Sequence, residues 1–341
     1  MKLLFVGFGT VGQGLAELLL ARREQLAAEY GMEWRAVGIA DSLKGSCADP
    51  NGLDLAQALA VAARGESLSA MPGAGCDWDA PAMIARADAD VLLEATYTDI
   101  KTAEPATSHM VAALERGMHV VTTNKGPLAL NYRRLAELAR AKGRRFLFEG
   151  TVMAGTPVLN LRRECLAGSG IRAVQGILNG TTNYILTRME EGLSYASALA
   201  KAQELGYAEA VPDADVLGWD ALAKVTIVAN VVFGADLHPT ASPCEGITRI
   251  SADDIARARA SGQRYKLIGK VWRETDGTVK AQVAPQLVPL SHPLAGVSGA
   301  TNALTFTTDA LGEVTVVGPG AGRAATGYAM LNDLLHIARR G

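Results

Sequence analysis

Residues 3–6 form a short unbroken apolar run, and apolar positions then recur at Val11, Leu15, Leu18, Leu19 and Leu26. The run has the length of a buried strand, and the recurrence is the stripe of an amphipathic helix. The same alternation predicts strands over 34–40, 90–94, 118–121 and 145–148, with helices over about 103–116 and 128–142. Strand–helix alternation of this kind implies an α/β fold with a Rossmann-type parallel sheet, ending near Glu149. After that point the pattern changes. Strands are predicted over 171–178, 263–272, 279–288 and 304–308, with helices over 182–191 and 194–205, as in a mixed or antiparallel α+β domain. A last strand over 314–317 runs through GPGAG into a helix ending near Arg340, which is expected to return to the first domain. The expected division is therefore 1–149, 150–310 and 311–341. Residues 42–80 show only a helical patch over 53–63, and no chemistry is assigned to them.

Between the two halves of the second domain lies LGYAEAVPDADVLGWDALAKVTIVAN, residues 205–230. A Pro-broken polar loop carries Glu209, Asp213 and Asp215, and a helix follows with Asp220 and Lys224 in its first turns. Residues four apart share a helix face, so acid and lysine form a pair. Such a pair is usually a surface salt bridge of little worth. Here Ala221, Leu222, Val225, Ile227, Val228, Val231 and Val232 make the helix too apolar for solvent. Lysine is rarely buried unless paired, so a lysine facing four nearby carboxylates marks a site.

The chain has 341 residues, 49% hydrophobic and 20% charged, with a formal net charge of −2. That is enough for two domains with a sizeable core. Its basic residues are scattered, which argues against a nucleic-acid partner. No stretch reaches a membrane-spanning length without charge or Pro. The N-terminal apolar run is broken by Gly7, Gly9, Gly12 and Gly14 and lacks a cleavage site, so it is read as a strand entering a helix, not a signal peptide. Cys47, Cys76, Cys165 and Cys244 are widely spaced, which fits reduced thiols in a cytoplasmic protein and no zinc cage. Cys165, in RRECLAG, is read as a core helix position. The five histidines make no ligand pair at helical spacing and are read as structural.

Residues 7–12 read GFGTVG, a glycine fingerprint placed between strand and helix as dinucleotide binding requires. Gly7 permits the turn, Gly9 lets backbone approach a pyrophosphate, and Gly12 lets helix and strand pack closely. Phe8, Thr10 and Val11 complete the cofactor-binding turn, whose helix start offers free N–H groups to phosphate. Asp41, ending the second strand, suits a ribose 2′-hydroxyl, while Lys44 beside it suits a 2′-phosphate, so NAD and NADP both remain open. Thr96 falls at a strand's C-terminal end, where open sheets bind ligands, and a turn-capping role fits it equally. Lys125 in TTNKGP, at the end of another strand, is placed to hold substrate or act as an acid, with a solvated loop lysine as the plainer reading. Gly320 and Gly322 form a second strand–glycine–helix join and are assigned to the cofactor. Asn179, Gly180 and Thr181 belong to a polar cluster at a helix start and are assigned to the substrate.

Six segments in order resemble the homoserine dehydrogenase family: GFGTVG, TTNKGP, EGTVMAGTP, GILNGTTNYILTRM, LGYAEAVPDADVLGWDALAK and GPGAGRAATGYAMLND. They span nearly the whole chain. The resemblance implies reversible NAD(P)H-dependent reduction of L-aspartate 4-semialdehyde to L-homoserine, on the route to threonine, methionine and isoleucine. It implies that Lys224 donates the proton, that Glu209 and Asp220 hold the substrate, and that Asp215 lies in the same pocket. Lys125 matches a lysine between cofactor and substrate. By resemblance, a sodium ion is held by backbone carbonyls of Glu149, Val152, Ala154 and Thr156, and the protein is a homodimer.

The sequence departs from the family in having Ala210 and Val211 between Glu209 and Pro212. A sugar or inositol-type dehydrogenase would not need the array from Glu209 to Lys224, and a nucleotide-sensing protein without catalysis would not need two lysines. An aspartate-semialdehyde dehydrogenase would need a cysteine nucleophile in a cationic pocket. The chain stops at Gly341, before the regulatory domain that many relatives append. Threonine is therefore expected not to inhibit through a dedicated site, and saturable inhibition not competitive with homoserine would refute this.

Overall fold

The computed structural model describes residues 1–339 and divides into two compact units: Met1–Gly155 joined by the segment from Gly322, and Thr156–Ala321. The first unit is built on seven strands: β1 (Lys2–Val6), β2 (Arg35–Asp41), β3 (Gly45–Ala48), β4 (Gly75–Cys76), β5 (Val91–Glu94), β6 (His119–Thr122) and β7 (Phe146–Leu147). Their order is β4-β3-β2-β1-β5-β6-β7. From β2 to β7 every pairing is parallel, and β3 and β4 extend the β2 edge antiparallel. This short antiparallel edge lies in the region that the sequence left unassigned. Alternate residues of β1 face opposite sides, as strand geometry requires. Leu3 and Phe5 join a core with Leu15, Leu19, Met330, Leu331, Leu334 and Ile337, while Leu4 and Val6 join another with Met83, Met110, Leu114 and Leu135.

The C-terminal helix thus closes one face of the nucleotide sheet, as predicted. It runs Arg323–Ala338, so its predicted end at Arg340 lies outside the described residues. Buried Asp333 on this helix accepts the Glu149 N–H at 2.9 Å. The predicted helix over 128–142 is two helices, Lys125–Leu130 and Tyr132–Ala141, broken at Asn131.

The second unit holds a five-stranded antiparallel sheet: β8 (Ile171–Ile177), β9 (Gln263–Arg273), β10 (Val279–Pro289), β11 (Thr301–Thr308) and β12 (Glu313–Pro319). The order is β10-β9-β8-β11-β12. Register defines two faces. Val283, Gly269, Gly176, Leu304 and Val316 form one cross-strand row, and Gln282, Lys270, Gln175, Thr305 and Thr315 form the next. The helix Trp219–Phe233 packs on the apolar face, where Val225 presses so close to Gly269 that a side chain there would collide with it. The segment over 311–341 divides: β12 pairs within the second sheet, and only the chain from Gly322 joins the first unit. Cys165 is exposed in the Leu161–Cys165 turn and is not a core residue. Among the described residues no helix is long and apolar enough to cross a membrane.

Lys266, which no spacing or motif marks as buried, is 1% exposed on β9. Its Nζ donates to Asn183 Oδ1 at 3.0 Å and to the Val297 carbonyl at 2.6 Å. Burial pulls its pKa down from 10.5 to about 8, partly offset by Glu190. A depressed lysine pKa means that stability from this group is present above the unfolded pKa and is lost as pH falls through the folded one. The difference of 2.5 between those two values converts to about 3 kcal/mol at ~1.36 kcal/mol per unit. The unfolding free energy of wild type relative to Lys266→Met should therefore rise by about 3 kcal/mol between pH 7 and 11, measured by denaturant titration. A pH-independent difference would refute it.

Candidate active site

In the first unit, Gly7 ends β1 with φ of +91°, and a Cβ there would collide with the Ala95 carbonyl just past β5. A Cβ at Gly12 would strike the Gly7 carbonyl at 2.5 Å. The fold itself therefore demands both glycines. Gly9 differs: a Cβ there would meet nothing within 4 Å, so protein packing gives no reason for its bareness. It caps the helix Thr10–Ala21 with no side-chain hydrogen bond. Open space at a helix N-terminus, where N–H groups lack partners, fits a pyrophosphate. The residues present therefore fit a dinucleotide. Phe8 contributes backbone alone, since its ring is fully buried and packs edge-on to Phe5 at 5.8 Å. Its N–H donates to Asp41 Oδ2 at 2.7 Å, and Asp41 Oδ1 accepts the Leu43 and Lys44 N–H groups at 2.9 and 3.0 Å.

Strands β1 and β5 are neighbours whose connections leave in opposite directions, the place where such sheets bind ligands. Thr96 and Lys125 follow the adjacent strands β5 and β6. Asn124 caps the helix Lys125–Leu130 through Oδ1, and its Nδ2 donates to the Tyr97 carbonyl at 2.9 Å. One amide thus ties both strand-end loops together.

In the second unit, Lys224 is 7% exposed. Its Nζ donates to Asp220 Oδ2 at 2.7 Å and to the Leu178 carbonyl at 2.7 Å. Asn179, the N-cap of the helix Gly180–Glu190, donates through Nδ2 to Asp215 Oδ1 at 2.6 Å and Asp220 Oδ2 at 3.0 Å. Thr181 Oγ1 donates to the Tyr207 carbonyl at 2.6 Å. A lysine, two carboxylates and an amide, drawn from the helix Trp219–Phe233, the short helix Asp213–Val216 and the start of Gly180–Glu190, form one contiguous polar array.

Residues 7–149 match the family model described as homoserine dehydrogenase, NAD binding domain, and residues 157–335 match homoserine dehydrogenase. A protein of Pseudomonas canavaninivorans, described as an NAD(+)-dependent homoserine dehydrogenase, is 48% identical over 98% of this chain and 96% of its own. The chain belongs to the homoserine dehydrogenase family. The crystal structure of a putative homoserine dehydrogenase from Archaeoglobus fulgidus superposes with a TM-score of 0.89 at 40% identity, covering 99% of each chain. A hyperthermophilic archaeal homoserine dehydrogenase solved in complex with NADPH is 29% identical, with a TM-score of 0.83 over 98% of this chain and 96% of that one.

Not every homoserine dehydrogenase residue expected from the sequence lies in these arrays. Of the four carboxylates expected around Lys224, the structure gathers Asp215 and Asp220. Glu209 and Asp213 are exposed, and the Glu209 carboxylate has no hydrogen bond or ion pair among the described residues. Its backbone carbonyl instead accepts the Gln203 side chain at 3.0 Å, on a loop where Ala210 and Val211 are also exposed. Gly320 is explained by packing, because a side chain there would overlap the Asn302 amide. Gly322, with φ of +125°, caps the returning helix and belongs to the first unit. Of the residues expected around sodium, Glu149, Val152 and Ala154 belong to the first unit and Thr156 to the second. Among the described residues no group of three or more His, Cys, Asp or Glu could hold a metal. Sequence reasoning missed the bridging amide of Asn179, although an asparagine before a helix start was its signal.

Burial raises the pKa of Asp215, and repulsion from Asp220 adds to this, against the Asn179 hydrogen bond and Lys224. A raised carboxyl pKa contributes stability below the unfolded value and loses it as pH rises through the folded one. Asp215→Asn should therefore melt higher than wild type at pH 7, with the gap closing as pH falls. A variant equally or less stable at pH 7 would contradict this account.

Proposed function

We propose that Lys224 is the proton donor in the reversible NAD(P)H-dependent reduction of L-aspartate 4-semialdehyde to L-homoserine. The observation that carries the reading is the buried Lys224 ammonium, held by Asp220 and the Leu178 carbonyl. Both partners are acceptors, so they stabilise its charged, proton-bearing form. When bound, the nicotinamide supplies hydride to the substrate C4 or takes it away. In the reduction Lys224 gives a proton to the C4 oxygen, and in homoserine oxidation it takes that proton back. Asp215 and Asp220, held in place by Asn179, are acceptors for the substrate ammonium. Gly180 and Thr181, opening a helix, offer backbone N–H groups to its carboxylate. Glu209 is proposed to join the substrate from its exposed loop.

Gly7, Gly9 and Gly12, with Phe8, Thr10, Val11, Thr96, Lys125 and Gly322, are proposed to hold the cofactor. Lys125 is also proposed to orient the substrate. Asp41 supports NAD over NADP, since its carboxylate at the end of β2 repels a 2′-phosphate, and the Pseudomonas relative carries the NAD(+)-dependent description. A sodium ion on carbonyls of the 149–154 turn fits the consecutive left-handed residues Met153 and Ala154, with φ of 58° and 48°. The polar face of the second sheet, with Gln175, Lys270, Gln282 and Thr315 partly exposed, supports a homodimer formed on it. The cytoplasm is the proposed compartment for an enzyme of threonine, methionine and isoleucine biosynthesis.

Purified protein given L-homoserine should generate reduced-cofactor absorbance, with kcat/KM for NAD exceeding that for NADP about tenfold or more by like-charge rejection. Glucose or inositol should not replace homoserine. Lys224→Ala should lower kcat about 10²- to 10⁴-fold while leaving the NADH Kd within about twofold. Silence with homoserine, or near-normal turnover in that variant, would sink the reading.

A further inference from the structure

Glu94 ends β5 with no exposed surface at all. Its strand is otherwise Val91, Leu92 and Leu93, where an apolar residue would satisfy the packing. An ionised carboxylate in such a place is costly unless every oxygen finds donors, and replacing buried charge by apolar groups is often neutral or stabilising. Its retention therefore calls for a reason other than folding. The donors it collects supply one.

Glu94 Oε1 accepts both the hydroxyl and, at 3.2 Å, the backbone N–H of Thr96, in the loop leaving β5. The Thr122 hydroxyl, at the end of the neighbouring β6, shares its proton between Glu94 Oε2 at 3.1 Å and the Glu94 carbonyl at 3.0 Å. Thr122 Oγ1 in turn accepts the Asn124 N–H at 3.0 Å. Asn124 then caps the helix that begins at Lys125 and grips the Tyr97 carbonyl in the first loop. The hydrogen bonds close a ring from Glu94 through Thr122, Asn124 and Tyr97 back to Thr96. A second buried group, His109, lies beneath: it is 5% exposed and its Nδ1 is 3.9 Å from Glu94 Oε1, beyond a hydrogen bond.

We propose that Glu94 is a positioning residue for the cofactor site, setting Thr96 and Lys125 relative to each other through Thr122 and Asn124. This rests on the reading above that those two residues meet the cofactor. Glu94 touches no ligand in this scheme; it acts through the two strand-end loops. Displacing a binding group by about 1 Å costs on the order of 10²-fold in a reacting geometry, so partial loosening should be felt readily.

The test uses the full-length protein with Glu94→Gln, Thr122→Val and the double variant. Gln keeps the shape but loses one acceptor oxygen, and Val keeps the shape of Thr without its hydroxyl. NADH affinity is read by fluorescence titration, folding by thermal melting, and kcat and KM with homoserine as substrate. Each single change should weaken NADH binding about tenfold, the low end of what losing a partner of a metal ligand costs. Melting temperatures should stay near wild type and the KM for homoserine within about twofold, and the double variant should be no worse than either single one. NADH binding within twofold of wild type in both singles, losses that multiply in the double, or losses that track the folded fraction would overturn the inference. If Glu94→Gln fails to fold, Thr122→Val and its NADH affinity decide. Lys125→Ala and Thr96→Val serve as references. If they weaken NADH binding while Glu94→Gln does not, the positioning role falls and the cofactor reading stands; if none does, the cofactor reading itself falls.

Discussion

A protonated amine taken out of water persists only where acceptors replace the solvent, and the placement of Lys224 sets much of the second unit. Its two acceptors come from different elements, Asp220 one turn back on its own helix and the Leu178 carbonyl just past β8. For one side chain to reach both, the helix Trp219–Phe233 must lie close on the sheet. Gly176 and Gly269 sit paired in adjacent strands, and Val225, the residue after Lys224, fills the space above Gly269. Small residues in the sheet thus become a precondition for the charge above them. The link runs from two glycines, through close helix–sheet packing, to a buried amine held by two acceptors.

Local signals were the legible ones. The glycine fingerprint, the strand before it and the helix after it depend on neighbours within a few residues, so spacing alone placed the strand–turn–helix. The pairing of Asp220 with Lys224 follows from helical period, and the burial of Lys224 from the apolar residues around it. Loops were not legible in the same way. Glu209 and Asp213 are near Lys224 in sequence, yet their loop points them to solvent, because nothing periodic fixes a Pro-broken turn. The edge strands β3 and β4 are short and rich in small residues, and their pairing is non-local. Lys266 and Glu94 were invisible for another reason: a charged residue reads as surface until the partners that satisfy it, Asn183 and Val297 or Thr96 and Thr122, are known.

The second unit's polar array also carries a cost that bears on its role. Asp215 and Asp220 share one amide, and their mutual repulsion together with burial disfavours the ionised form of Asp215. A protein selected for stability alone would replace one acid. Sites that bind cations accept this penalty, since the bound cation relieves it, and destabilised charge clusters are where function and stability part company. Lys224 relieves part of that penalty from within, and under the proposed function the substrate α-ammonium is the second cation.

Both units solve the same problem with the same residue. Asn124 and Asn179 each occupy an N-cap, and each offers its side-chain oxygen to a backbone N–H in the first turn, at 3.2 Å from Gly126 and 2.9 Å from Thr182. That bond fixes which end of the amide is oxygen, an assignment that otherwise rests on the network. The nitrogen must then face away from the helix, toward the Tyr97 carbonyl in one unit and toward Asp215 and Asp220 in the other. Serine or threonine would cap as well, but its single hydroxyl proton cannot serve two acceptors as Asn179 Nδ2 serves Asp215 and Asp220. Aspartate would cap too, and it would repel the carboxylates it now gathers. Asparagine starts each helix with one end of its amide and grips an acceptor beyond it with the other, so at these two positions the helix start and the contact beyond it are one choice of side chain.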